Sequence, residues 1–523
     1  MSLVTTSSLE SNDWLNRLDA RRMLWLLLGL SLIIKISIWV QSPVITPDGP
    51  VYIAQAEEFL RGDWQKGLAL NGSLFIYPLL IAGLGFLGVD LIVAGQLLSL
   101  LFSVSTVLPL FLLSRRLFDT RVAFWATLAF VVAPSLNEFS VYVMRDPGFL
   151  CFFAWAIFFA LRAVEEENIR AFFLSLVFAF IAFLFRIEAF FLPFLLVLFI
   201  CFQALFRRKW RTRFIKKVGL FLLLSLLTGV LAGWAFSDRI FRFNRLGVIV
   251  SMMKMPLNKG VFGYDPRVQE ELRKMEKVIP MGAVDNDFAE IARENIRLIY
   301  FIGLLANVKK VLYPAFFVAC LAGLVLFRKY RNAHGLFLWL TASYLLVLYL
   351  YLLHRGFIET RYVYVPVFLL LPWVGFGIER ILTRLNRINR LPRFAPLLLV
   401  SVLFLVPGVE SATEVKRQLI SAKEAGLWLA VRPEINVGTL IANQKEISFY
   451  AGRGMNFIGT SAIDSEYLAK LARQREASLI AMLRDLGSEP VEPHIENFVF
   501  LEKFTDKRYE TLIFRKQDES SGN

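Results

Sequence analysis

Ser73–Gly88, SLFIYPLLIAGLGFLG, decides how this chain of 523 residues is arranged. The stretch is apolar enough to enter a bilayer. It is shorter than the roughly 20 residues that a spanning helix needs, and Pro78, Gly83 and Gly85 interrupt it. If it crosses, every later segment changes side. If it stays at the interface, none does. The basic residues discriminate, because Lys and Arg gather at the cytoplasmic ends of spans. Arg17, Arg21 and Arg22 precede the first long apolar run, residues 23–40, which places the N-terminus, 1–22, in the cytoplasm. With 74–88 held at the interface, the run 91–113 leads inward to Arg115, Arg116 and Arg121. Runs 122–135 and 147–163 make a hairpin reaching outward, 171–185 leads out, and 189–206 leads in to the basic block 207–217. Run 218–236 leads out to a long loop, 237–305, and 310–327 returns to Arg328, Lys329 and Arg331. Run 336–353 leads out, 362–379 leads in to Arg380, Arg384, Arg387, Arg390 and Arg393, and 394–409 leads out. Every dense basic block then lies inside, so about eleven spans are predicted, with 74–88 interfacial or re-entrant.

Composition sets the class. The chain is 56% hydrophobic, 14% aromatic and only 19% charged, which excludes an ordinary soluble domain. The fold class is a polytopic α-helical membrane protein. A net charge of +15 would suggest nucleic acid in a soluble protein. Here the basic residues stand in blocks beside apolar runs, no nucleic-acid motif is present, and the charge reads as topology. Cys151, Cys201 and Cys320 show no paired spacing and indicate neither a disulfide nor a metal site. The first apolar run lacks a small-residue cleavage site and is read as a retained span.

The tail is different material. From 410 to 523 hydropathy falls and both signs of charge mix. Helices are predicted at 422–431 and 467–475, strands at 438–442, 477–482, 497–503 and 511–514, and a further short element at 447–450. The alternation implies a small α/β domain, external by the topology above. Domain limits are thus 1–22, a membrane domain 23–409 with outer loops 41–90 and 237–305, and 410–523.

The residues able to do chemistry share the external side. Asp48 opens the stretch Thr46–Trp64, TPDGPVYIAQAEEFLRGDW, where Tyr52, Ala56 and Phe59 recur at helical spacing in a surface helix. Arg145 and Asp146 lie in the next outer loop, Arg186 and Glu188 in the third, and His354, Arg361 and Tyr362 near a later one. Each has a plainer reading. Asp48 in Pro-Asp-Gly is a natural turn residue. Asp146 before Pro147 suits a helix N-cap. Arg186 with Glu188, and Arg361 with Tyr362, suit interfacial anchors. Asp63-Trp64 reads as the close of the surface helix. Yet charges at the membrane are costly and mostly functional or paired. A carboxylate that deprotonates an acceptor and arginines that hold a departing phosphate are the parts that transfer from a phosphate-bearing lipid requires. A flanking carboxylate also offers a place for a divalent cation.

In this order and sidedness the chain resembles the GT-C superfamily of polytopic glycosyltransferases, which includes bacterial relatives of the protein O-mannosyltransferases and the lipid A aminoarabinose transferases. Asp48, Tyr52 and Ala56 followed by Gly62-Asp63-Trp64 resemble its first outer loop. Tyr77-Pro78-Leu79 resembles its aromatic/Pro-Pro-Leu segment with one proline missing, and Ser114–Phe118 its short inner turn. Ala133-Pro134 and the loop to Asp146 resemble its next hairpin, and Phe185–Glu188 its Arg-Pro-Glu-Gly segment, with Ile187 for Pro and Ala189 for Gly. Arg361-Tyr362 followed by Pro366 resembles its late Arg-Tyr…Pro span. Neither the loop of Asp48 nor the loop of Asp146 carries Asp-x-Asp. The resemblance covers about 20–410, and the tail resembles the outer domains of bacterial members. It implies a polyprenyl-phosphate-sugar donor and inverting transfer with Asp48 as base and Asp146 as the second acidic position, assisting catalysis or metal binding. Tyr52, Arg145, Arg186, Glu188, His354, Arg361 and Tyr362 are the expected substrate-binding set. The expected setting is a bacterial inner membrane with a periplasmic lipid, glycan or protein acceptor. Two rivals fit the composition: a transporter or flippase of lipid-linked sugars, and a non-catalytic assembly subunit. A transporter calls for ionisable groups at mid-membrane and for repeats; Lys35 is the one charge well inside a span, and no repeat is visible.

Overall fold

The computed structural model describes residues 19–71, 75–206, 290–328, 332–388, 394–413, 419–454, 456–460, 464–486 and 494–517, with isolated positions at 216, 218–219, 262–263, 270, 273–274 and 392. The basic block 207–217, the expected span 218–236 and most of the expected loop 237–305 fall outside these.

Six helices among the described residues are long and apolar enough to cross a bilayer: Ala20–Val40, Leu91–Leu117, Asp146–Glu166, Ala333–Arg355, Thr360–Leu385 and Ala395–Thr413. Thr120–Val132, Ile169–Phe185 and Ile187–Gln203 are apolar but shorter. They occupy the places read as spans at 122–135, 171–185 and 189–206. The expected span 310–327 differs. Helix Ile296–Leu312 is followed by Pro314–Leu326 with a bend of 107° between them. Tyr313 sits at φ 75 and Pro314 has no N–H to continue the ladder, so the chain turns at that point. The last ten residues of the expected outer loop, 296–305, belong to the first of these helices.

By contacts the chain divides into two compact units, one of residues 1–37, 100–140 and 145–414, the other of 38–99, 141–144 and 415–523.

In the first unit, polar contacts show which helix ends share a face. At one face Arg116, ending Leu91–Leu117, pairs with Glu165 at 2.6 Å, and Trp125 Nε1 donates to Glu379 at 3.0 Å. His334 bonds the Leu117 carbonyl at 3.0 Å. At the other face Lys35 Nζ donates to Asn137 Oδ1 at 2.9 Å, Ser37 to the Ala412 carbonyl at 3.2 Å, and Tyr364 to the Ser135 carbonyl at 2.6 Å. The helix pair Pro314–Leu326 and Tyr364–Leu385 packs backbone on backbone. A Cβ at Gly323 would overlap the Trp373 carbonyl, and one at Gly377 the Ala319 carbonyl.

In the second unit, α1 (Ala20–Val40) ends beside the start of Leu91–Leu117, where Trp39 Nε1 donates to Gln96 Oε1 at 2.9 Å. The chain leaves and re-enters side by side, and the described residues between hold no helix long enough to span a bilayer. It folds as α2 (Gly49–Leu60), α3 (Trp64–Asn71) and α4 (Ile76–Phe86), the last only 11 residues long. Trp64 opens α3 instead of closing the surface helix, because the Asp63 carboxylate accepts from Lys66 N–H at 2.9 Å as an N-cap.

The tail forms a five-stranded sheet ordered β2-β1-β3-β5-β4, with β1 Thr439–Ala442, β2 Ile458–Gly459, β3 Ala477–Asp485, β4 Phe498–Thr505 and β5 Tyr509–Lys516. β1 pairs in parallel with β2 and β3, and β5 runs antiparallel to β3 and β4. Alternate residues face opposite sides of a strand. Leu440, Leu479, Ala481 and Leu483 pack with helix Ile420–Ala430 through Ala422, Ala425 and Leu429. Ile441, Ile480 and Met482 pack with helix Ser465–Gln474 through Leu468 and Ala472. The short β2 was not legible in the sequence. The element expected near 447–450 is helix Lys445–Ser448, extended by an irregular turn, Phe449–Arg453.

Candidate functional site

The second unit presents Asp48. The Gly49 N–H donates to the Thr46 carbonyl at 2.8 Å, which makes the predicted turn. Asp48 is the N-cap residue of α2, but its side chain makes no capping hydrogen bond, so helix initiation does not consume the carboxylate. Pro50 fixes the first turn instead. One turn on, Tyr52 is buried and meets the Tyr77 ring edge-on at 5.6 Å. The Tyr77 hydroxyl donates to the Gly95 carbonyl at 2.8 Å and bonds Ser99 Oγ at 2.9 Å. Tyr52 thus serves packing, and through it the Asp48 turn is tied to α4 and the next helix. The loop before Asp48 rests on the tail. Ile45 N–H donates to the Tyr450 hydroxyl at 2.8 Å, and Lys423 Nζ donates to the Pro43 carbonyl at 2.8 Å.

The first unit holds the remaining candidates. Asp146 begins helix Asp146–Glu166, but Arg145 is its N-cap residue and the Asp146 side chain does not cap. It turns to Arg186, which sits in extended backbone where helix Ile169–Phe185 ends. Arg186 also binds Glu188 through two nitrogens. Its side chain is 7% exposed, that of Asp146 3%, and the guanidinium lies 5.4 Å from the Tyr362 ring centroid and 5.6 Å from that of Phe149. Arg145 acts electrostatically on Glu188. Two arginines and two carboxylates therefore form one nearly neutral cluster, which lowers the cost of placing them in an apolar bundle.

One oxygen of this cluster is left over. Asp146 Oδ2 is buried and has no hydrogen-bond partner. Asp146 lines a cavity of about 20 Å³, room for a single water, together with Tyr364, Thr106, Ser103 and Ser140. Arg361, at 19% side-chain exposure, pairs with Glu359 at 2.6 Å. His354 is buried at the end of its helix and donates from Nδ1 to the Leu350 carbonyl at 2.7 Å, which leaves buried Nε2 as an unpartnered acceptor. Asp146, Arg145, Arg186, Glu188 and Tyr362 are thus brought together within the unit. Tyr364 was missed by sequence reasoning, since nothing distinguishes it from the aromatics around it. Among the described residues no group of three or more His, Cys, Asp or Glu has a metal-binding arrangement.

Residues 75–233 match the model of the dolichyl-phosphate-mannose-protein mannosyltransferase family. That segment contains Arg145, Asp146, Arg186 and Glu188 and begins after Asp48. By sequence alone no curated protein matches the chain. Among solved structures, the oligosaccharyltransferase AglB of Archaeoglobus fulgidus, in complex with an inhibitory peptide and a dolichol-phosphate, superposes with a TM-score of 0.55 at 11% identity, over 88% of this chain and 69% of that one. ArnT of Cupriavidus metallidurans, bound to undecaprenyl phosphate, superposes with a TM-score of 0.51 at 12% identity, over 93% of this chain and 97% of that one. Charged clusters on an apolar helical bundle, a small α/β domain and this shared fold define the class: the chain is a polytopic α-helical membrane protein with the fold of the AglB and ArnT structures.

Proposed function

We propose that the chain moves a sugar from a polyprenyl-phosphate donor to an acceptor on the outer face of a bacterial inner membrane. The observation that carries this reading is the buried Arg186–Asp146–Glu188 cluster in a bundle that is otherwise apolar. Such a cluster is retained at a membrane for chemistry more than for stability. The family match over 75–233 and the lipid-phosphate ligands named for the AglB and ArnT structures support the donor class.

Asp48 is the proposed base. Its carboxylate takes the proton of the acceptor hydroxyl or amine, the acceptor attacks the anomeric carbon, and the bond to the lipid phosphate breaks with inversion. Arg186 has its fork committed to two carboxylates, so its proposed role is to set Asp146 and Glu188. Arg361, less buried, and Arg145 are proposed to meet the departing phosphate, where a planar guanidinium stabilises the growing charge. His354 Nε2 and Asp146 Oδ2 are proposed to orient bound groups.

The test is transfer by purified protein from polyprenyl-phosphate hexose and pentose donors, wild type against Asp48→Ala. Loss of general-base help predicts a fall of at least about 100-fold in turnover. Equal turnover by the two proteins would sink the assignment of Asp48.

A further inference from the structure

Within the second unit, the loop that leads to Asp48 has no helix or strand of its own, and side chains of the tail meet its backbone. Ile45 N–H donates to the Tyr450 hydroxyl at 2.8 Å, and the Pro43 carbonyl accepts from Lys423 Nζ at 2.8 Å. Val44 and Ile45 are buried, so the loop is seated on its surroundings. The two anchors come from different elements, helix Ile420–Ala430 and the turn Phe449–Arg453. Gly426 brings these together. A Cβ there would lie 2.6 Å from the Tyr450 Cβ and 2.7 Å from the Ile447 carbonyl, so the turn docks on the helix where no side chain stands. Asn436 Nδ2 donates to the Ala451 carbonyl at 2.8 Å and pins the same turn. Lys423 Nζ then lies 5.3 Å from the Tyr450 ring centroid. On the far side of the loop, the Ile45 side chain covers Gly49, where an added Cβ would overlap Ile45 Cγ1. Gly49 follows Asp48 directly and closes its turn on the Thr46 carbonyl. From the Tyr450 hydroxyl to the Asp48 turn, the path runs through one backbone amide and one side-chain contact.

We propose that Tyr450, with Lys423 beside it, is a positioning residue for Asp48: the tail clamps the loop 43–46, and the clamp fixes where the Asp48 carboxylate stands. This deepens the proposed function and rests on Asp48 as the base. Asp48 heads α2 without capping it, so helix formation does not aim its side chain. A base has to stand within hydrogen-bond reach of the proton it takes, and a displacement of about 1 Å costs up to about 100-fold in rate. An irregular loop supplies that precision only when its backbone is held from outside. Ile447 and Ala451, on either side of Tyr450, join the apolar core of the tail, whereas the Tyr450 hydroxyl turns to the loop. Lys423 adds a charge-assisted bond two residues earlier in the loop.

Tyr450→Phe removes one oxygen and keeps the ring. Hydrogen exchange of the detergent-purified full chain reads the clamp without substrate. Amides in residues 44–49 should exchange about 10-fold faster in Tyr450→Phe, while those of β1, β3 and β5 keep their wild-type rates. In the transfer assay, turnover should fall by roughly 10- to 100-fold at an unchanged KM for the donor. Lys423→Met should move both readouts the same way, and Lys423→Arg, which restores a donor for the Pro43 carbonyl, should recover most of the loss. In an Asp48→Ala background, Tyr450→Phe should cost nothing further, because its effect passes through Asp48. Should Tyr450→Phe not fold, the two Lys423 variants carry the test on the same readouts. Unmoved exchange at 44–49, faster exchange throughout the tail sheet, or wild-type turnover in Tyr450→Phe while Asp48→Ala is inactive would each overturn the proposal. Wild-type turnover in Asp48→Ala is a different failure: the base assignment falls, and the positioning role falls with it.

Discussion

Arg186 shows how much of the site depends on one side chain. It is bound by Asp146 and Glu188 at once, and Asp146 is the more deeply buried of the two carboxylates. Removing the guanidinium strands a buried anion, which costs more than losing the attraction itself. Arg186→Met should therefore lower stability by about 3–5 kcal/mol. The measurement is the temperature at which the detergent-purified protein loses its monodisperse peak. Pairing that change with Asp146→Asn removes the stranded charge and should recover a good part of the loss. If the double variant were as unstable as the single, the cost would lie in packing and not in the uncompensated carboxylate. Arg186→Lys should fall between, because an ammonium cannot hold two carboxylates in the fork geometry that the guanidinium supplies. From the sequence, Arg186 and Glu188 could be picked out as charges at a helix end. That Asp146, forty positions earlier, was the third member was not legible, since it is set by how two helices pack.

At the scale of elements, the closest approach lies between Pro314–Leu326 and Tyr364–Leu385. Gly323 and Gly377 admit backbone where any Cβ would meet a carbonyl oxygen. Gly377→Ala should cost about 1–3 kcal/mol through forced separation of the helices. Gly303, where an added Cβ meets nothing within 4 Å, is the control, and Gly303→Ala should be neutral or slightly stabilising. Equal heat stability of the two variants would contradict the packing argument. The elements that could be read from sequence were those with a strong local signature. Long apolar runs gave the spans, short apolar runs in the polar tail gave β1, β3, β4 and β5, and the Pro-Asp-Gly turn gave the start of α2. The bend at Tyr313 was not among them, because the sequence on both sides is apolar and Pro314 equally suits the start of a separate span. Lys35 looked like a mid-membrane charge suited to transport. Its single acceptor, Asn137, is itself fixed by the Val131 carbonyl and Ser411, so the group reads as a lock where helix Thr120–Val132 ends.

For the whole molecule, two independent arguments now bear on sidedness. Charge blocks alone favour an interfacial Ser73–Gly88. Contacts within each unit bear on the same question without using charge blocks. Lys35 and Ser37, near the end of α1, share a face with Asn137 and Ala412, and Trp39 meets Gln96 where the next long helix begins. The other face gathers Leu117, Glu165 and His334. Contacts fix which ends lie together but not which face meets the cytoplasm, and only the basic blocks carry that second piece of information. The two can be separated by experiment. Reporters fused after Glu167 and after Gln517 should lie on opposite sides, with Glu167 cytoplasmic and Gln517 external. A third fusion, after Gly62, should agree with Gln517. If all three readings invert, the shared faces survive and the positive-inside reading of orientation fails. If Gly62 and Gln517 disagree, an extra crossing exists between them, and the interfacial placement of Ser73–Gly88 is the first element to fall.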